Sequence, residues 1–139
     1  MSRSGYHDDC DDDLALGRYR GVVASATRGK RGQEFFKALV DALDAMPEKR
    51  LIADELEAPD GAVCAIGALG KARGLDMTGL DPDDPQRVGK VFNIAEALAR
   101  EVVFENDEAS GWKDSPESRW CRMRAWARQQ IKLQPPATL

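Results

Sequence analysis

The pattern of hydrophobic and polar residues over residues 14–46 is that of two amphipathic helices. Two stretches place hydrophobic side chains three and four positions apart, as one face of a helix does. The first contains Leu14, Leu16, Tyr19, Val22, Val23 and Ala26, and the second contains Phe35, Phe36, Leu39, Val40, Leu43 and Met46. Asp12 and Asp13 suit a helix start, because acidic groups interact favourably with a helix N-terminus, and Pro47 ends the second helix. Residues 28–32 form a short glycine-bearing link, so the pattern predicts an antiparallel helical hairpin.

Residues 51–66 have the pattern of a small β-hairpin. Residues 51–57 partly alternate hydrophobic and polar side chains, and residues 62–66 are an apolar run of strand length. Ala58-Pro59-Asp60-Gly61 lies between them and favours a turn, because proline presets φ and glycine tolerates positive φ. We therefore predict two short antiparallel strands. A short helix over residues 67–73, ended by Gly74, follows them.

Two longer helices are predicted in the C-terminal half. Asp84-Pro85 and Ser115-Pro116 each combine an N-cap residue with a proline at the first helical position. The hydrophobic face of the first helix contains Val88, Val91, Phe92, Ala95, Leu98, Ala99 and Val102. The first helix frays near Asn106-Asp107. The face of the second contains Trp120, Met123, Ala127 and Ile131, with Trp126 at its edge.

Together these elements predict an α-rich α+β fold, with a helical hairpin, a small β-hairpin and two longer C-terminal helices. A chain of 139 residues suits one domain, which we place at residues 14–132. An acidic leader, residues 1–13, precedes it, and a C-terminal tail, residues 133–139, follows it. A lone hairpin is marginally stable in water, so helices are expected to cover one of its faces. The expected core contains Val63, Cys64, Ile66, Val91, Phe92, Leu98, Val102, Trp120 and Met123.

Charge is unevenly distributed along the chain, whose net charge is -4. Residues 1–13 contain one basic and five acidic side chains, and residues 51–117 contain six basic and fifteen acidic ones. Residues 14–50 contain eight basic and four acidic side chains, and residues 118–139 contain five basic and no acidic ones. Folding that joins the two basic segments would create a face that attracts anions. Alternatively, the acidic middle neutralises both basic segments through surface ion pairs.

Membrane, metal and cofactor sites are not expected. The longest apolar run, residues 61–70, is half the length of a spanning helix, and the N-terminus lacks the apolar stretch of a secretory signal. We therefore expect a cytoplasmic protein. Its three cysteines, Cys10, Cys64 and Cys121, form no closely spaced pair and are expected to be buried free thiols. The run of aspartates at residues 8–13 lacks the spacing of a calcium loop, so we expect no metal and no cofactor.

Two basic segments are the candidate binding sites. Arg28, Lys30 and Arg31 alternate with glycines ahead of a predicted helix, an arrangement that lets cations and backbone N–H groups approach a phosphate. The last helix adds Arg119, Arg122, Arg124, Arg128 and Lys132. Aromatic residues interleave with these cations, as in proteins that bind single strands by charge and stacking. The same features also suit a solvent-exposed turn and a helix whose tryptophans face the core.

Catalytic residues are scarce in this sequence. Its one histidine, His7, lies in the acidic leader, far from Cys64 and Cys121. A Cys–His pair would require the leader to fold back onto the domain. We therefore expect a protein that acts by binding rather than as an enzyme.

Several blocks of the sequence resemble a set of small proteins encoded by bacteriophages and prophages of proteobacteria. The likeness covers most of residues 1–132. It is carried by residues 1–6 with the aspartate cluster, Arg28-Gly29-Lys30-Arg31-Gly32-Gln33, residues 43–50, the Cys-Ala-x-Gly-Ala block at residues 64–68, residues 104–108 and residues 115–120. A looser likeness, Cys-Ala-x-Gly-Ala followed by Asn-Asp, is shared with other small bacterial proteins. The resemblance implies an origin in a mobile element.

Two functions are therefore hypotheses for this chain. The resemblance implies a phage or prophage accessory protein, a stoichiometric binder of a host or defence complex that acts as an antagonist of bacterial immunity in the manner of an anti-CRISPR protein. The alternative is a nucleic-acid or nucleotide-phosphate binder that uses Arg28, Lys30, Arg31 and the basic last helix. Charge segregation also predicts a homodimer, with Trp112 or Trp126 at its interface because exposed ion pairs alone are weak.

Overall fold

The computed structural model describes residues 13–110 and 114–132, and these residues form six α-helices. The helices are α1 (Asp13–Arg28), α2 (Lys30–Ala45), α3 (Ala65–Ala72), α4 (Pro85–Phe92), α5 (Glu96–Asp107) and α6 (Pro116–Gln130). The predicted α+β class is wrong, because the described residues contain no sheet. The predicted tail, residues 133–139, lies outside the described residues. The predicted leader lies outside them too, except for Asp13, which begins α1.

The first two helices are confirmed, but the link between them is much shorter than predicted. Only Gly29 separates α1 from α2. A Cβ atom on Gly32 would lie 1.9 Å from the carbonyl oxygen of Ala26, so the first turn of α2 packs directly onto the last turn of α1. A glycine at position 32 therefore sets the close approach of the two helices.

The predicted β-hairpin over residues 51–66 is wrong. Its turn forms, since the Ala58 N–H donates to the Ala62 carbonyl at 2.8 Å, but pairing is limited to one isolated antiparallel bridge between Glu57 and Val63. The second strand cannot extend, because Cys64 is already the N-cap of α3 and Ala65 is its first residue. On the first strand, Asp54 adopts a φ of 72°, which interrupts the extended backbone.

The predicted long helix from Pro85 to beyond Val102 is divided into α4 and α5. Asn93 ends α4 in the left-handed conformation, with φ 58° and ψ 48°. The two helices pack against each other, and the change of direction leaves Val91 39% exposed, contrary to its predicted place in the core. Both predicted N-caps are confirmed: Asp84 accepts from the Arg87 N–H and Ser115 from the Ser118 N–H.

The core lies around α2, which packs against α1, α3 and α6. Helices α2 and α6 run antiparallel, because the start of α6 meets Leu43 and its end meets Gln33. Phe36, Leu39 and Leu43 are fully buried against residues such as Met123 of α6. Of the predicted core, Met123 is buried, and so are six further residues, namely Val63, Cys64, Ile66, Phe92, Leu98 and Val102. Trp120 is half-buried.

Within the described ranges, no helix is long and apolar enough to cross a lipid bilayer.

Candidate functional site

The α1–α2 junction and the end of α6 meet at one end of the molecule, although nearly one hundred residues separate them in sequence. Gln33 joins them through its side-chain amide. Its Nε2 donates to the Thr27 carbonyl at 2.8 Å and to the Gln130 carbonyl at 2.9 Å, and its Oε1 accepts from the Lys132 N–H at 2.7 Å. The two predicted basic segments are therefore brought together where Gln33 lies.

Four cationic residues gather at this junction: Arg28, Lys30, Arg31 and Lys132. We call them the basic pole. The Lys132 Nζ lies 3.5 Å from the Arg28 carbonyl oxygen, at the C-terminus of α1, and an Arg31 Nη donates to Asn93 Oδ1 at 3.3 Å. All four residues are exposed. In the part of the chain that the structure describes, no carboxylate forms an ion pair with any of the four.

The surroundings of the basic pole contain few opposite charges. Glu34, one turn into α2, is exposed and forms no ion pair with the described residues. The first turn of α2 has no acidic residue, and its N-cap Gly29 provides no side-chain hydrogen bond. Positive side chains at a helix N-terminus are electrostatically unfavourable, so an anion bound there would relieve that repulsion.

Arg128 lies in the last turn of α6, four residues before Lys132. It is exposed, and its charge contributes to lowering the pKa of Asp44, although the hydrogen bond from Arg124 is the larger cause. Arg128 therefore adds positive potential between the basic pole and Asp44 without forming an ion pair of its own.

The other three arginines predicted as binding residues make contacts within the protein. Arg119 is 8% exposed, and its guanidinium donates to the carbonyls of Asn106 at 2.9 Å and Leu51 at 3.3 Å. Arg124 pairs with Asp44 of α2 through two hydrogen bonds. These side chains hold helices together, which leaves them poorly placed for an external ligand.

Arg122 is the centre of a charged cluster between α5 and α6. Its Nη2 lies 2.5 Å from Asp114 Oδ2, and its Nη1 donates to the Glu105 carbonyl at 2.5 Å. Burial alone would raise the pKa of Asp114, but the Arg122 hydrogen bond and the charges of Arg122 and Arg119 outweigh it, so the pKa is lowered. Burial raises the pKa of Glu105 despite the opposing charge of Arg122.

The Cys-Ala-x-Gly-Ala block and the Asn-Asp pair meet in the interior. The Asn106 side chain is 2% exposed; its Oδ1 accepts from the Ala65 N–H at 3.0 Å, and its Nδ2 donates to the Ile52 carbonyl at 2.9 Å. Cys64 Sγ accepts from the Gly67 N–H at 3.3 Å and so caps α3. The sequence pattern predicted no such contact, because Ala65 and Asn106 lie forty-one positions apart.

The described cysteines differ sharply in environment. Cys64 is buried, and burial raises the pKa of its thiol to about 12, so the thiol remains protonated at neutral pH. Cys121 is exposed on α6, contrary to the expected burial. Within residues 13–110 and 114–132, no group of three or more metal-ligating side chains is brought together. His7, Cys10 and the predicted aspartate run up to Asp12 lie outside these residues.

Of the two tryptophans predicted at a dimer interface, only Trp126 lies among the described residues. Trp126 is half-buried and packs edge-on against Phe36, with ring centroids 5.4 Å apart and an interplanar angle of 75°. Trp112 lies outside the described residues. Much of the Trp126 ring surface is thus used in packing α6 onto α2.

A separate open groove of about 550 Å³ lies at the other end of α2. Its apolar lining comes from the end of α2, residues 52, 62 and 63, and α3, with Ala42, Ala68 and Pro116 among the contributors. Most charged residues at its rim are paired, since Arg50 meets Glu117 at 3.2 Å and Lys71 meets Glu57 at 3.4 Å. Asp60 is the exception among the described lining residues, because its Oδ1 accepts only the Ala62 N–H, at 3.0 Å. The groove therefore offers apolar surface with little free charge.

Comparison with known proteins gave no relative: no protein-family model matches the sequence, and no curated protein or solved structure matches it. The resemblance to phage and prophage proteins stays a prediction. Any functional assignment consequently rests on the chain's own residues, of which the basic pole and the groove are the two candidate surfaces.

Proposed function

We propose that this protein binds a polyanion through the basic pole, and that its target is the phosphate backbone of a nucleic acid. The observation that carries the proposal is the convergence of two basic segments into one exposed set of cations without carboxylate partners among the described residues. Surface cations that stabilise a fold usually have a counter-charge nearby, as Arg124 has in Asp44. Cations without one are free to contact phosphates.

The net charge of -4 does not argue against a local contact. Charges separated by more than about 8–10 Å are largely screened at physiological ionic strength. The acidic residues of the middle region therefore weaken long-range attraction more than they weaken contacts at the basic pole. We expect modest affinity, in the range of about 10⁻⁴–10⁻⁶ M typical of non-specific binding at physiological salt.

The test is fluorescence anisotropy with a labelled oligonucleotide over a series of salt concentrations. The double variant Lys30→Glu/Lys132→Glu should lose binding at low salt, because two contacts become repulsive. Its matched control is Arg73→Glu/Arg87→Glu, which makes the same change of net charge at two exposed positions, the C-cap of α3 and α4, and should keep near-wild-type binding. Equal loss in both variants, or binding that does not weaken with salt, would contradict the proposal.

A second candidate function is stoichiometric binding of a host or defence protein complex, with antagonism of bacterial immunity, as the phage resemblance implies. The observation that favours it is the open apolar groove, because concave apolar surfaces with few free charges suit a protein partner. If this second function holds, the basic pole provides charge complementarity to a protein partner rather than a contact with nucleic acid.

This candidate is tested by quantitative pull-down from a bacterial host lysate. Ala72 is exposed and lines the groove, so Ala72→Arg should block a partner docked there. Ala15→Arg introduces the same side chain on the exposed face of α1 and serves as the control. A stoichiometric partner captured by wild type and Ala15→Arg but not by Ala72→Arg supports the candidate. Capture of the same proteins by all three would show that the groove is not the docking site.

A further inference from the structure

We infer that the basic pole contacts phosphates without reading bases, so that duplex is bound at least as well as single strands of any sequence. The inference rests on the proposed nucleic-acid function and specifies its substrate class. Its basis is the position of the aromatic and amide side chains that base recognition would require.

None of the aromatic residues among the described ones is fully exposed for base stacking. Proteins that prefer single strands stack bases on accessible rings beside a basic groove. Every tryptophan, tyrosine and phenylalanine of residues 13–110 and 114–132 is buried or half-buried. Trp126, one of the aromatic residues interleaved with the cations of the last helix, packs edge-on against Phe36.

The two amide side chains that contact the basic pole, Gln33 and Asn93, are also engaged within the protein. Asparagine and glutamine recognise adenine by pairing both amide atoms with the base edge. Gln33 uses its nitrogen for Thr27 and Gln130 and its oxygen for Lys132. Asn93 Oδ1 accepts from Arg31. The basic pole itself offers the cationic ends of its lysine and arginine side chains, and such groups make most of their nucleic-acid contacts to phosphates, which carry no sequence information.

A site that acts by charge alone favours the ligand with the higher charge density. Duplex DNA carries one phosphate charge per about 1.7 Å of axis, about twice the density along one of its strands. If all four cations each contact one phosphate, a plot of the logarithm of affinity against the logarithm of salt concentration should be no steeper than a slope of about -3.6 for duplex. For single strands the corresponding limit is about -2.8.

The experiment measures the wild-type protein with a short duplex, each separated strand, oligo-dT and duplexes of different base composition, all at the same low salt. Polyglutamate is added as a competitor. We expect the duplex to bind about as tightly as the separated strands or up to several-fold more tightly, little dependence on base composition, and loss of binding in Lys30→Glu/Lys132→Glu.

The alternative outcomes separate the two proposals. Tighter binding of oligo-dT or of either strand than of the duplex overturns the inference but leaves nucleic-acid binding in place. A strong preference for G-rich duplex also overturns it, because arginine would then be reading base edges. Absence of binding to every oligonucleotide, or competition by polyglutamate as effective per charge as DNA, overturns the nucleic-acid function itself in favour of an acidic protein partner.

Discussion

A single buried residue, Asn106, joins three segments of the chain. Its side-chain amide bonds to the backbone of Ile52 and Ala65, and its backbone carbonyl accepts from Arg119 Nε at 2.9 Å. Buried polar groups are costly when they lose their partners, because water cannot replace them. Asn106 therefore positions the start of α3, the segment before it and α6 at the same time.

Replacing Asn106 by alanine should lower the free energy of unfolding by about 2–4 kcal/mol, since it leaves the Ala65 N–H and the Ile52 carbonyl without their partner. Urea unfolding followed by circular dichroism measures the change. Gln129→Ala, at an exposed position on α6, is the control and should change stability by less than about 0.5 kcal/mol. A variant at position 106 as stable as the control would show that the amide is dispensable.

Thiol reactivity should separate the two described cysteines. With a pKa of about 12 and a buried side chain, Cys64 should resist alkylation at pH 8 in the folded protein, whereas exposed Cys121 should react readily. Peptide mapping by mass spectrometry after brief iodoacetamide treatment checks this. Both cysteines should react in urea. Rapid native labelling of Cys64 would mean that α3 opens easily.

At the scale of elements, close backbone approaches determine how α3 is seated. A Cβ atom on Gly67 would lie 1.9 Å from the Leu56 carbonyl oxygen, so the start of α3 packs directly on the chain before the turn. This contact also explains why residues 65 and 66 join a helix instead of a strand. The Cys64 cap and the Asn106 hydrogen bond both stabilise the helical start at that position.

Two glycine-to-alanine substitutions should have opposite effects. Gly67→Ala should destabilise the protein by about 1–3 kcal/mol or more, because backbone must move to make room. Gly17→Ala, in α1 with nothing within 4 Å of the added carbon, should stabilise it by about 0.5–1 kcal/mol through better helix propensity. Thermal unfolding of both variants decides the matter. A neutral Gly67→Ala would contradict the close packing described for α3.

The contact between α5 and α6 should make stability depend on pH. Asp114 has a lowered pKa in the folded state, so its contribution is present above its ordinary value of 3.8 and is lost as the pH falls through the lowered pKa. At pH 7, Asp114→Asn should lower the free energy of unfolding by about 2 kcal/mol, because Arg122 loses its charged partner. The difference from wild type should stay nearly constant from pH 7 to about pH 5 and shrink as the pH falls below 3.8.

Measuring the difference between wild type and Asp114→Asn also isolates Asp114 from Glu105. Burial raises the pKa of Glu105, which favours the folded state at low pH and opposes the trend of Asp114. Urea unfolding at several pH values provides the curve. A difference between the two proteins that stays constant from pH 7 to acid would show that Asp114 has no lowered pKa.

At the scale of the whole molecule, charge is unevenly placed. Four cations drawn from the two basic segments collect at one end of α2, whereas the described acidic residues are spread over many elements, α2 included. An uneven charge distribution attracts anions and also favours contact between unlike faces of two copies. Both consequences weaken as salt rises.

The homodimer predicted from charge segregation should dissociate with salt. Sedimentation velocity at tens of micromolar protein should show a dimer at low salt and a larger monomer fraction at high salt, because exposed ion pairs are screened. Trp112→Ala should weaken association more than Trp126→Phe, since Trp126 is largely engaged with the core. A monomer at both salt concentrations would contradict the prediction.

Local sequence signals determined where α4 and α6 begin. Asp84 before Pro85 and Ser115 before Pro116 predict helix starts, and the structure has them, because a cap and a proline act within one helical turn. The spacing of Phe35, Leu39 and Leu43 likewise predicts the buried face of α2, since only one side of an amphipathic helix can face the core. These features need no information from distant parts of the chain.

Tertiary contacts decided the features that sequence periodicity misjudged. The apolar run at residues 62–66 suits a strand and a buried helix start equally well. The hydrogen bond from the Ala65 N–H to the side chain of Asn106, forty-one positions away, favours the helix. The left-handed turn at Asn93 left the hydrophobic spacing almost unchanged, so the break between α4 and α5 was not visible.

The division of the eight predicted basic residues into ligand-accessible and internal ones also required the fold. Arg119 and Arg28 are the same residue type in basic segments of the sequence. Arg119 nevertheless donates to buried carbonyls, whereas Arg28 lies at the exposed basic pole. Which arginine meets a carbonyl depends on how α6 packs against α2 and α5, and that packing joins segments far apart in sequence. The sequence by itself therefore determined the supply of positive charge, and only the tertiary structure decided where that charge remains free to bind.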